Sequence, residues 1–440
     1  MASTNLQQGH SLHSPLDRNI RLIEILPTFP GHQVQCKLHT VNLTPRTSYI
    51  CLSYVWGNPS LTEEIVVDGI RKQVTVNLAT ALRHLKQHWS EIRARPGEYP
   101  DPSELRVWAG ALCINQDDHF ERTHQVGLMA DIYSSADMVL AWLTSNDRDL
   151  VCAFTIMRKL LHYADLYDYQ TKPWPRHSVE EYNWFQELKM NFPLRLNKDT
   201  EAEMAFSKFW RLSFWTRVWT QQEVILAKEL YFITPSQRIY HKDCLLANTL
   251  IKAYLENSVS SALFALYMNL PKNEATKMLE YQCGAMSLLE TKRHTEVPTM
   301  RVPGINLYLS GHLQATDKLD YVYGLLALTK APIVPDYAKS VREVYWEFAK
   351  WLVEKCNKIA RTIPRELPYN AGFFGFLDAN AVGIRQLHGH YRPGRPSSLP
   401  KKSERTSNSR PITSVHLGVT LREFLSLIIR HRYMSLEIAY

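Results

Sequence analysis

Two apolar runs on either side of one helical segment constrain the fold of this chain more than any other feature. LRVWAGALCI (105–114) and MVLAWL (138–143) are continuous apolar runs, as in strands that are buried on both faces. The segment between them, 117–135, has helical periodicity. Such a βαβ unit closes right-handed into a parallel sheet, which binds ligands at the carboxyl ends of its strands. We therefore predict an α/β fold with a functional loop at 113–118.

Further strands, hairpins and helices are expected around this unit. Asp68-Gly69 lies between two alternating runs and predicts a hairpin, and Asn77 is the expected cap of the helix that follows. A second hairpin is expected near ELYFITPSQRIYH (229–241). Three short β-type runs begin the chain: RLIEILP, VQCKLHTV and YICLSYVWG.

Length and pattern divide the chain into four regions. A chain of 440 residues exceeds a typical domain of roughly 100–200 residues. We predict a flexible polar lead at 1–18, a large α/β domain at 19–255 and a mainly helical downstream region at 256–355. Residues 356–440 lose the periodicity and are predicted to be a divergent, basic and partly disordered segment.

Charge and cysteine content narrow the class of partner. The formal net charge is +8, and seven Lys or Arg with one Glu lie between Arg385 and Pro411. A run like this is more often a solvated face than a contact for nucleic acid or a membrane, so we expect no nucleic-acid partner. The seven Cys are odd in number and form no C-x-x-C pair, which argues against a disulfide framework or a structural zinc site. We expect reduced thiols and no metal.

Targeting signals and several catalytic signatures are absent. The first 17 residues lack the pattern of a signal peptide. No segment approaches the roughly 18 apolar residues that span a bilayer, so we expect a cytoplasmic protein without a transmembrane segment. The sequence contains no G-x-x-x-x-G-K-[ST], G-x-G-x-x-G, H-E-x-x-H or G-x-S-x-G. The main sequence support for a P-loop ATPase, a dinucleotide-fold dehydrogenase, a zincin or a typical serine hydrolase is therefore missing.

Four segments, in this order, resemble the HET (heterokaryon incompatibility) family of filamentous fungi and together cover most of residues 21–355. They are YICLSYVWG (49–57), LRVWAGALCINQDDHFERTHQVGLMADIYSSADMVLAWL (105–143), FWTRVWTQQEVILAKEL (214–230), and DKLDYVYGLLAL with IVPDYAKSVREVYWEFAKWL (317–352). Members of the family usually carry Asp where this chain has Gly110, and often Asp where it has Asn58.

The resemblance implies a fold and a function. The implied fold is a TIR-like or flavodoxin-like parallel-sheet core with helical insertions and a mostly helical C-terminal region. The implied role is self/non-self recognition linked to programmed cell death. Some TIR domains cleave the nicotinamide bond of NAD with a catalytic glutamate, which makes NAD a candidate substrate, and no cofactor is predicted. Another protein of the incompatibility system, or a second copy of the chain, is the implied partner.

Polar residues at the start of the central helix are the candidate active site. At about 100° per residue, Asp118, Glu121, Arg122 and Gln125 share the azimuth of the core stripe that includes Met129. Burying them without partners would cost a few kcal/mol each, so they must bond one another or line a crevice. By analogy with the TIR glutamate, Glu121 is the candidate catalytic or ribose-binding acid. The alternative is an acid stabilised by the helix dipole and by Gln125.

The ends of two strands supply candidate ligand contacts. Ser53, Tyr54, Trp56 and Gly57 end a strand, where Trp56 is expected either to stack on a flat base or to pack in the core. Gly57 would let a backbone approach a ligand closely. In the loop after the next strand, the side chains at 115 and 116 either bond a ligand or cap the helix; these are Asn115 and Gln116.

The remaining candidates are a thiol and an ion pair. Cys113 is expected to be a buried inert thiol rather than a nucleophile, because no His partner is evident. Glu223 shares a helical face with core residues and needs a cation, so we predict a structural ion pair with Arg217, with Arg122 as the other possible partner.

Three functions fit these patterns. The first is a death effector that consumes NAD or binds a nucleotide. The second is a non-enzymatic module that signals through protein interaction. The third is a degenerate paralogue without toxic output, which Gly110 and the unusual C-terminal segment would allow.

Overall fold

The computed structural model describes residues 18–27, 33–166, 208–256, 288, 289, 292 and 313–362. In this part of the chain, nine strands form one sheet: β1 (Asn19–Ile25), β2 (Gln35–Asn42), β3 (Ile50–Tyr54), β4 (Thr62–Val67), β5 (Ile70–Thr75), β6 (Val107–Trp108), β7 (Met138–Trp142), β8 (Leu230–Ile233) and β9 (Arg238–Tyr240). The described helices are α1 (Val76–Arg93), α2 (Gly110–Cys113), α3 (His119–Ser135), α4 (Arg148–Leu166), α5 (Thr220–Ile225), α6 (His241–Glu256), α7 (Asp320–Tyr323), α8 (Leu326–Thr329) and α9 (Val341–Thr362).

The sheet is mixed, with a parallel centre. Its strand order is β5-β4-β2-β1-β6-β3-β7-β8-β9. The central strands β6, β3, β7 and β8 are parallel neighbours, whereas β1 pairs antiparallel with both β2 and β6, and the hairpins β4/β5 and β8/β9 are antiparallel. Every residue of β3 and β7 is buried, because both faces of these strands are covered. The predicted α/β class is confirmed.

Both predicted hairpins are present. Asp68 and Gly69 have φ values of 51° and 79° and connect β4 to β5, and glycine adopts such positive values without steric cost. The second hairpin joins β8 to β9, as expected. The predicted cap of α1 was wrong, because the side chain of Thr75 accepts a hydrogen bond from the Leu78 N–H and is the actual N-cap. Asn77 lies inside the helix.

The run 105–114 was predicted to be one long strand, and this prediction was wrong. Only β6, two residues long, pairs in the sheet, and α2 follows after one residue. The N–H groups of Leu112 and Cys113 both donate to the carbonyl of Ala109, which turns the chain out of the sheet. A run that is apolar throughout has no periodicity to distinguish a buried strand from a buried helical turn. The short strand brings Gly110 to the edge where ligands bind.

The central helix, α3, ends at the predicted residue and begins at His119, two residues after the predicted start at 117. Asp118 caps α3, and its carboxylate accepts hydrogen bonds from the N–H groups of Phe120 and Glu121. The helix ends at Ser135, and β7 follows from Met138. The first turn of α3 therefore follows β6 closely along the chain, after α2 and a short loop.

The chain divides into two compact units, Met1–Tyr345 and Trp346–Tyr440, and the site described below belongs to the first. Residues 1–17 and 363–440, which hold most of the predicted lead and C-terminal segment, lie outside the described residues. None of the helices in the described ranges combines the length and apolarity needed to cross a bilayer.

Candidate functional site

A cavity of about 970 Å³ opens at the carboxyl ends of β3 and β6. It is lined by residues from five segments: 52–57, 108–116, 122–133, 213–223 and 314–341. The carboxyl edge of parallel strands is the usual binding site of an open α/β sheet. The strand ends and the start of α3 form one wall, and α5 with the segment 313–341 forms the other.

Glu223 on α5 is a buried carboxylate of the cavity wall, with 2% of its surface exposed. Its Oε2 accepts a hydrogen bond of 2.5 Å from the hydroxyl of Ser53 at the end of β3. Burial raises the pKa of the Glu223 carboxyl, and it outweighs the lowering by the charge of Arg217 and by hydrogen bonds from Ser53 and Tyr133. A carboxyl group with a raised pKa in a cavity is suited to proton exchange at a pH nearer neutrality.

Arg217 holds this carboxylate against the strand end. Its Nη1 lies 3.6 Å from Glu223 Oε1 and donates a 2.5 Å hydrogen bond to the carbonyl of Tyr54. The sequence predicts a structural ion pair of Arg217 and Glu223, and this contact places the two charged groups within 4 Å of each other. Both side chains line the cavity, so the pair also contributes to the chemistry of the cavity wall.

A second buried acid, Asp320 on α7, lies on the wall formed by the segment 313–341. Its two oxygens accept hydrogen bonds from the Tyr337 hydroxyl at 2.7 Å and from the Trp219 indole N–H at 3.0 Å. Burial raises the pKa of the Asp320 carboxyl despite these bonds. Trp219 immediately precedes α5, and Glu223 lies on that helix, so a short stretch of chain connects the two acidic groups.

Arg122 projects from the first turns of α3 into the same cavity. Its Nη2 donates to Asp317 Oδ2 at 3.1 Å and lies 3.9 Å from Asp320 Oδ1. The guanidinium carbon stands 3.7 Å from the centre of the Tyr337 ring, which is a cation–π distance. The predicted ligand contact at Arg122 therefore lies on the cavity wall, together with an acid on either side.

Glu121 has a different environment from Arg122, although the two residues are adjacent. Its side chain is 2% exposed, pairs with the fully buried Arg21 of β1 and accepts a hydrogen bond of 2.6 Å from the Asn115 N–H. Arg21 also donates to the carbonyl of Cys113 at 3.0 Å. These bonds fasten the loop 113–115 to β1, and Glu121 is not among the residues that line the cavity.

The other polar residues at the start of α3 also have protein partners. Gln125 is fully buried, and its amide donates to the carbonyl of Asn19 at 2.9 Å. Gln116 lines the cavity and donates to the carbonyl of Gly110 at 3.0 Å. Asn115 Oδ1 accepts from the Asp117 N–H at 3.2 Å, which stabilises the turn before the helix. Of this group, Gln116 and Arg122 reach the cavity.

The loop after β3 forms the rim of the cavity. Trp56 lines it and is 45% exposed, so it packs less in the core than at the opening. Gly57 has a φ of 79°, which a residue with a Cβ rarely adopts. Asn77 fixes the loop, because its amide donates to the carbonyl of Val55 at 2.6 Å and its Oδ1 accepts from the Trp142 indole N–H at 2.9 Å.

Cys113 and Gly110 lie beside the cavity without offering a reactive group. Burial raises the pKa of the Cys113 thiol to about 12, so the thiol stays protonated. Gly110 lines the cavity, and a Cβ built there would meet Trp108 Cη2 at 3.5 Å, an ordinary contact. Among the described residues, no three His, Cys, Asp or Glu side chains are grouped in a way that would hold a metal ion.

Sequence reasoning missed the wall formed by the segment 313–341. Gln314 joins it to the domain, because its N–H donates to the carbonyl of Thr216 at 2.5 Å and its carbonyl accepts from the Val218 N–H at 3.0 Å. The segment was identified by resemblance, but no sequence signal pairs Asp320 or Tyr337 with residues two hundred positions earlier.

Comparison with known proteins identifies relatives of this chain. Residues 49–223 match the family model described as Heterokaryon incompatibility protein (HET). The Heterokaryon incompatibility protein 6, OR allele, of Neurospora crassa is 27% identical over 378 residues, covering 78% of this chain and 53% of that protein. The chain thus spans about half the length of this curated relative. No solved structure matches the chain.

Proposed function

We propose that this chain, whose residues 49–223 match the HET family model, acts in heterokaryon incompatibility as an effector of programmed cell death. In this proposal, the effector works by binding a nucleotide such as NAD in the cavity and cleaving it. Its proposed partner is another protein of the incompatibility system or a second copy of the chain.

The position and lining of the cavity are the observation that supports a nucleotide ligand. Along the sheet, the parallel strands run β6-β3-β7-β8, so the first of them in the chain lies between the second and the third. This is the start of the flavodoxin-like order, and the cavity lies at the carboxyl ends of its first two strands, β3 and β6, on the edge at which such sheets bind their ligands. The order supports a TIR-like core. Two arginines and several aromatic rings line the cavity, which suits a ligand with both phosphate and flat ring groups.

The proposed reaction is hydrolysis of the bond between nicotinamide and ribose. Water adds to C1′ of the ribose while the bond from C1′ to the nicotinamide nitrogen breaks, and the electron pair of that bond leaves with nicotinamide. The products are nicotinamide, ADP-ribose and one proton. A carboxylate beside C1′ would stabilise the positive charge that develops on the ribose and accept the proton from water.

Glu223 is the proposed carboxylate for this step. It lines the cavity, and burial raises the pKa of its carboxyl group. The hydroxyl of Ser53 and the guanidinium of Arg217 fix its two oxygens, which is the orientation that such a group needs. Glu121, the candidate from TIR analogy, is proposed instead to position the loop 113–115, because its carboxylate is occupied by Arg21 and the Asn115 N–H.

The experiment is to incubate the purified full chain with NAD and to follow nicotinamide by chromatography. Glu223→Gln keeps the shape of the side chain and removes its charge, and we expect it to lower the rate by roughly 10²- to 10⁴-fold. The matched control is Glu98→Gln, because Glu98 is exposed and does not line the cavity. If the wild type releases no nicotinamide, or if Glu223→Gln cleaves NAD as fast as the wild type, the catalytic proposal is wrong.

A non-enzymatic interaction module is the second candidate, and Gly110 favours it. This residue lines the cavity without a side chain where HET proteins usually carry an acid. Expressing the chain in a fungal host distinguishes the two proposals. Cell death that persists with Glu223→Gln and accompanies self-association in light scattering supports the module, whereas cell death that is lost with Glu223→Gln supports the enzyme.

A further inference from the structure

The two arginines of the cavity wall differ in the origin of their partners. Arg217 contacts Tyr54 and Glu223, which belong to β3 and α5. Arg122 contacts residues of the segment 313–341: Asp317 at 3.1 Å, Asp320 at 3.9 Å and the ring of Tyr337 at 3.7 Å. Arg122 therefore joins α3 to the wall that lies outside the matched HET region.

The two acids beside Arg122 are held very differently. Both oxygens of Asp320 accept hydrogen bonds from neutral donors, Tyr337 and Trp219, and burial raises the pKa of its carboxyl. Asp317 gives one oxygen to Arg122, while the other accepts from the Leu319 N–H at 3.0 Å. Asp317 is thus the closer ionic partner of the guanidinium, whereas Asp320 is fixed by other groups.

The contact between Arg122 and Asp317 is open to exchange. The side chains are 22% and 33% exposed, and an ion pair that is partly in water is weak because both partners are also solvated. A single Nη2 makes the contact, although a guanidinium can offer two parallel donors to an anion. A phosphate or diphosphate group carries more charge than a carboxylate and can accept both donors.

Arg122 has a fixed position in the cavity wall. It lies on α3, a helix of 17 residues, and both it and the loop residue Gln116 line the cavity. The guanidinium stacks on the Tyr337 ring, which holds this charged donor beside the cavity.

We propose that Arg122 binds the phosphate or diphosphate group of the ligand, and that the Asp317 carboxylate occupies the place of this anion when the cavity is empty. Asp317 then acts as an internal competitor, and ligand binding exchanges one anion for another at Arg122. The inference rests on the cavity of the proposed function and specifies the anionic part of its ligand. Ligand binding then breaks the contact between Arg122 and Asp317.

The test is a titration of the full chain with inorganic pyrophosphate, followed by calorimetry at low salt. Arg122→Gln is expected to weaken binding by at least about tenfold, because it removes the charged donor. Asp317→Asn is expected to tighten binding by roughly two- to fivefold, the upper part of the range for a partly exposed ion pair. Thermal unfolding of each variant checks that it is folded.

The control for Asp317→Asn is Glu64→Gln. It changes the net charge by the same amount and breaks an exposed ion pair, which joins Arg71 and Glu64 at 3.4 Å outside the cavity lining. We expect its affinity for pyrophosphate to stay within about twofold of the wild type. If Asp317→Asn tightens binding no more than this control, Asp317 is not a competitor.

Two further results would overturn the inference: folded Arg122→Gln that binds pyrophosphate like the wild type, or no binding by either the wild type or Asp317→Asn. Failure of the proposed NAD cleavage can be distinguished from failure of the proposed anion binding by Arg122. Pyrophosphate binding that depends on Arg122, without nicotinamide release, rejects NAD cleavage alone. NAD cleavage with an unchanged KM in Arg122→Gln rejects the role of Arg122 alone.

Discussion

Replacing Glu121 by glutamine tests whether this acid is a structural residue. Glu121 is 2% exposed and Arg21 is fully buried, and within the described part of the chain no other carboxylate lies within ion-pairing distance of Arg21. Glu121→Gln therefore leaves a buried guanidinium without a counter-charge. Breaking a buried pair from one side costs about 3–5 kcal/mol. Since domains are stable by only about 5–15 kcal/mol, we expect a large loss of stability.

The assay is urea unfolding, followed by tryptophan fluorescence. The matched control is Glu63→Gln, which breaks the ion pair of Glu63 with Arg83. The side chains of this pair are 31% and 36% exposed, respectively. An exposed pair contributes at most about 1 kcal/mol, so the control should remain close to the wild type. The double variant Arg21→Met/Glu121→Leu should recover much of the loss, because it removes both buried charges.

A structural role for Glu121 is excluded if Glu121→Gln unfolds at the same urea concentration as Glu63→Gln. Such a result would mean that the Glu121 carboxylate does not stabilise Arg21, and it would return Glu121 to the candidates for catalysis. The reason is that removing a catalytic acid commonly leaves stability unchanged or raises it.

Three further predictions concern the cavity. Burial raises the pKa of Glu223 above its unshifted value of 4.5, so ionisation of this carboxyl opposes folding. The unfolding free energy of Glu223→Gln should therefore rise relative to that of the wild type as the pH increases above 4.5. Urea unfolding of both proteins at pH 4 and pH 7 measures this, and a relative stability of Glu223→Gln that falls with pH would contradict it. Gly110→Asp should change the unfolding free energy by no more than about 1 kcal/mol, because a Cβ at this position meets Trp108 at 3.5 Å, an ordinary van der Waals contact. A loss of several kcal/mol in urea unfolding would mean that the position does not accommodate a side chain. Asn77→Ala should cost about 1–3 kcal/mol and weaken ligand binding, because the Trp142 indole N–H loses its acceptor; unchanged stability in the same assay would contradict the role of this bond.

The centre of the fold could be predicted from the sequence because its signals are local. The run MVLAWL is apolar at every position and only six residues long, which suits a strand covered on both faces better than a helix. Asp68-Gly69 specifies its hairpin through the positive φ of both residues. The prediction of one long strand at 105–114 was wrong for the opposite reason. This run is apolar throughout, so it contains no signal for the turn after Trp108.

The sequence indicated where the candidate site lies in the chain, but it did not indicate which residues its side chains contact. Helical spacing correctly indicated that Glu121 and Gln125 point inward, since both are buried. Helical spacing could not show that Arg122 lines the cavity and Glu121 does not, because the residues that pair with each of them come from distant parts of the chain. Arg21 lies 100 residues before Glu121, and Asp317 lies 195 residues after Arg122. Such pairings depend on tertiary structure, which periodicity does not contain.

A crystal structure of the full chain with ADP-ribose would show whether the cavity at the ends of β3 and β6 is the ligand site. We predict that the ligand lies in this cavity, with its diphosphate bonded to Arg122 and its terminal ribose within hydrogen-bond distance of Glu223. A ligand bound elsewhere on the chain, or an empty cavity in crystals grown under saturating ADP-ribose, would mean that this cavity is not the ligand site.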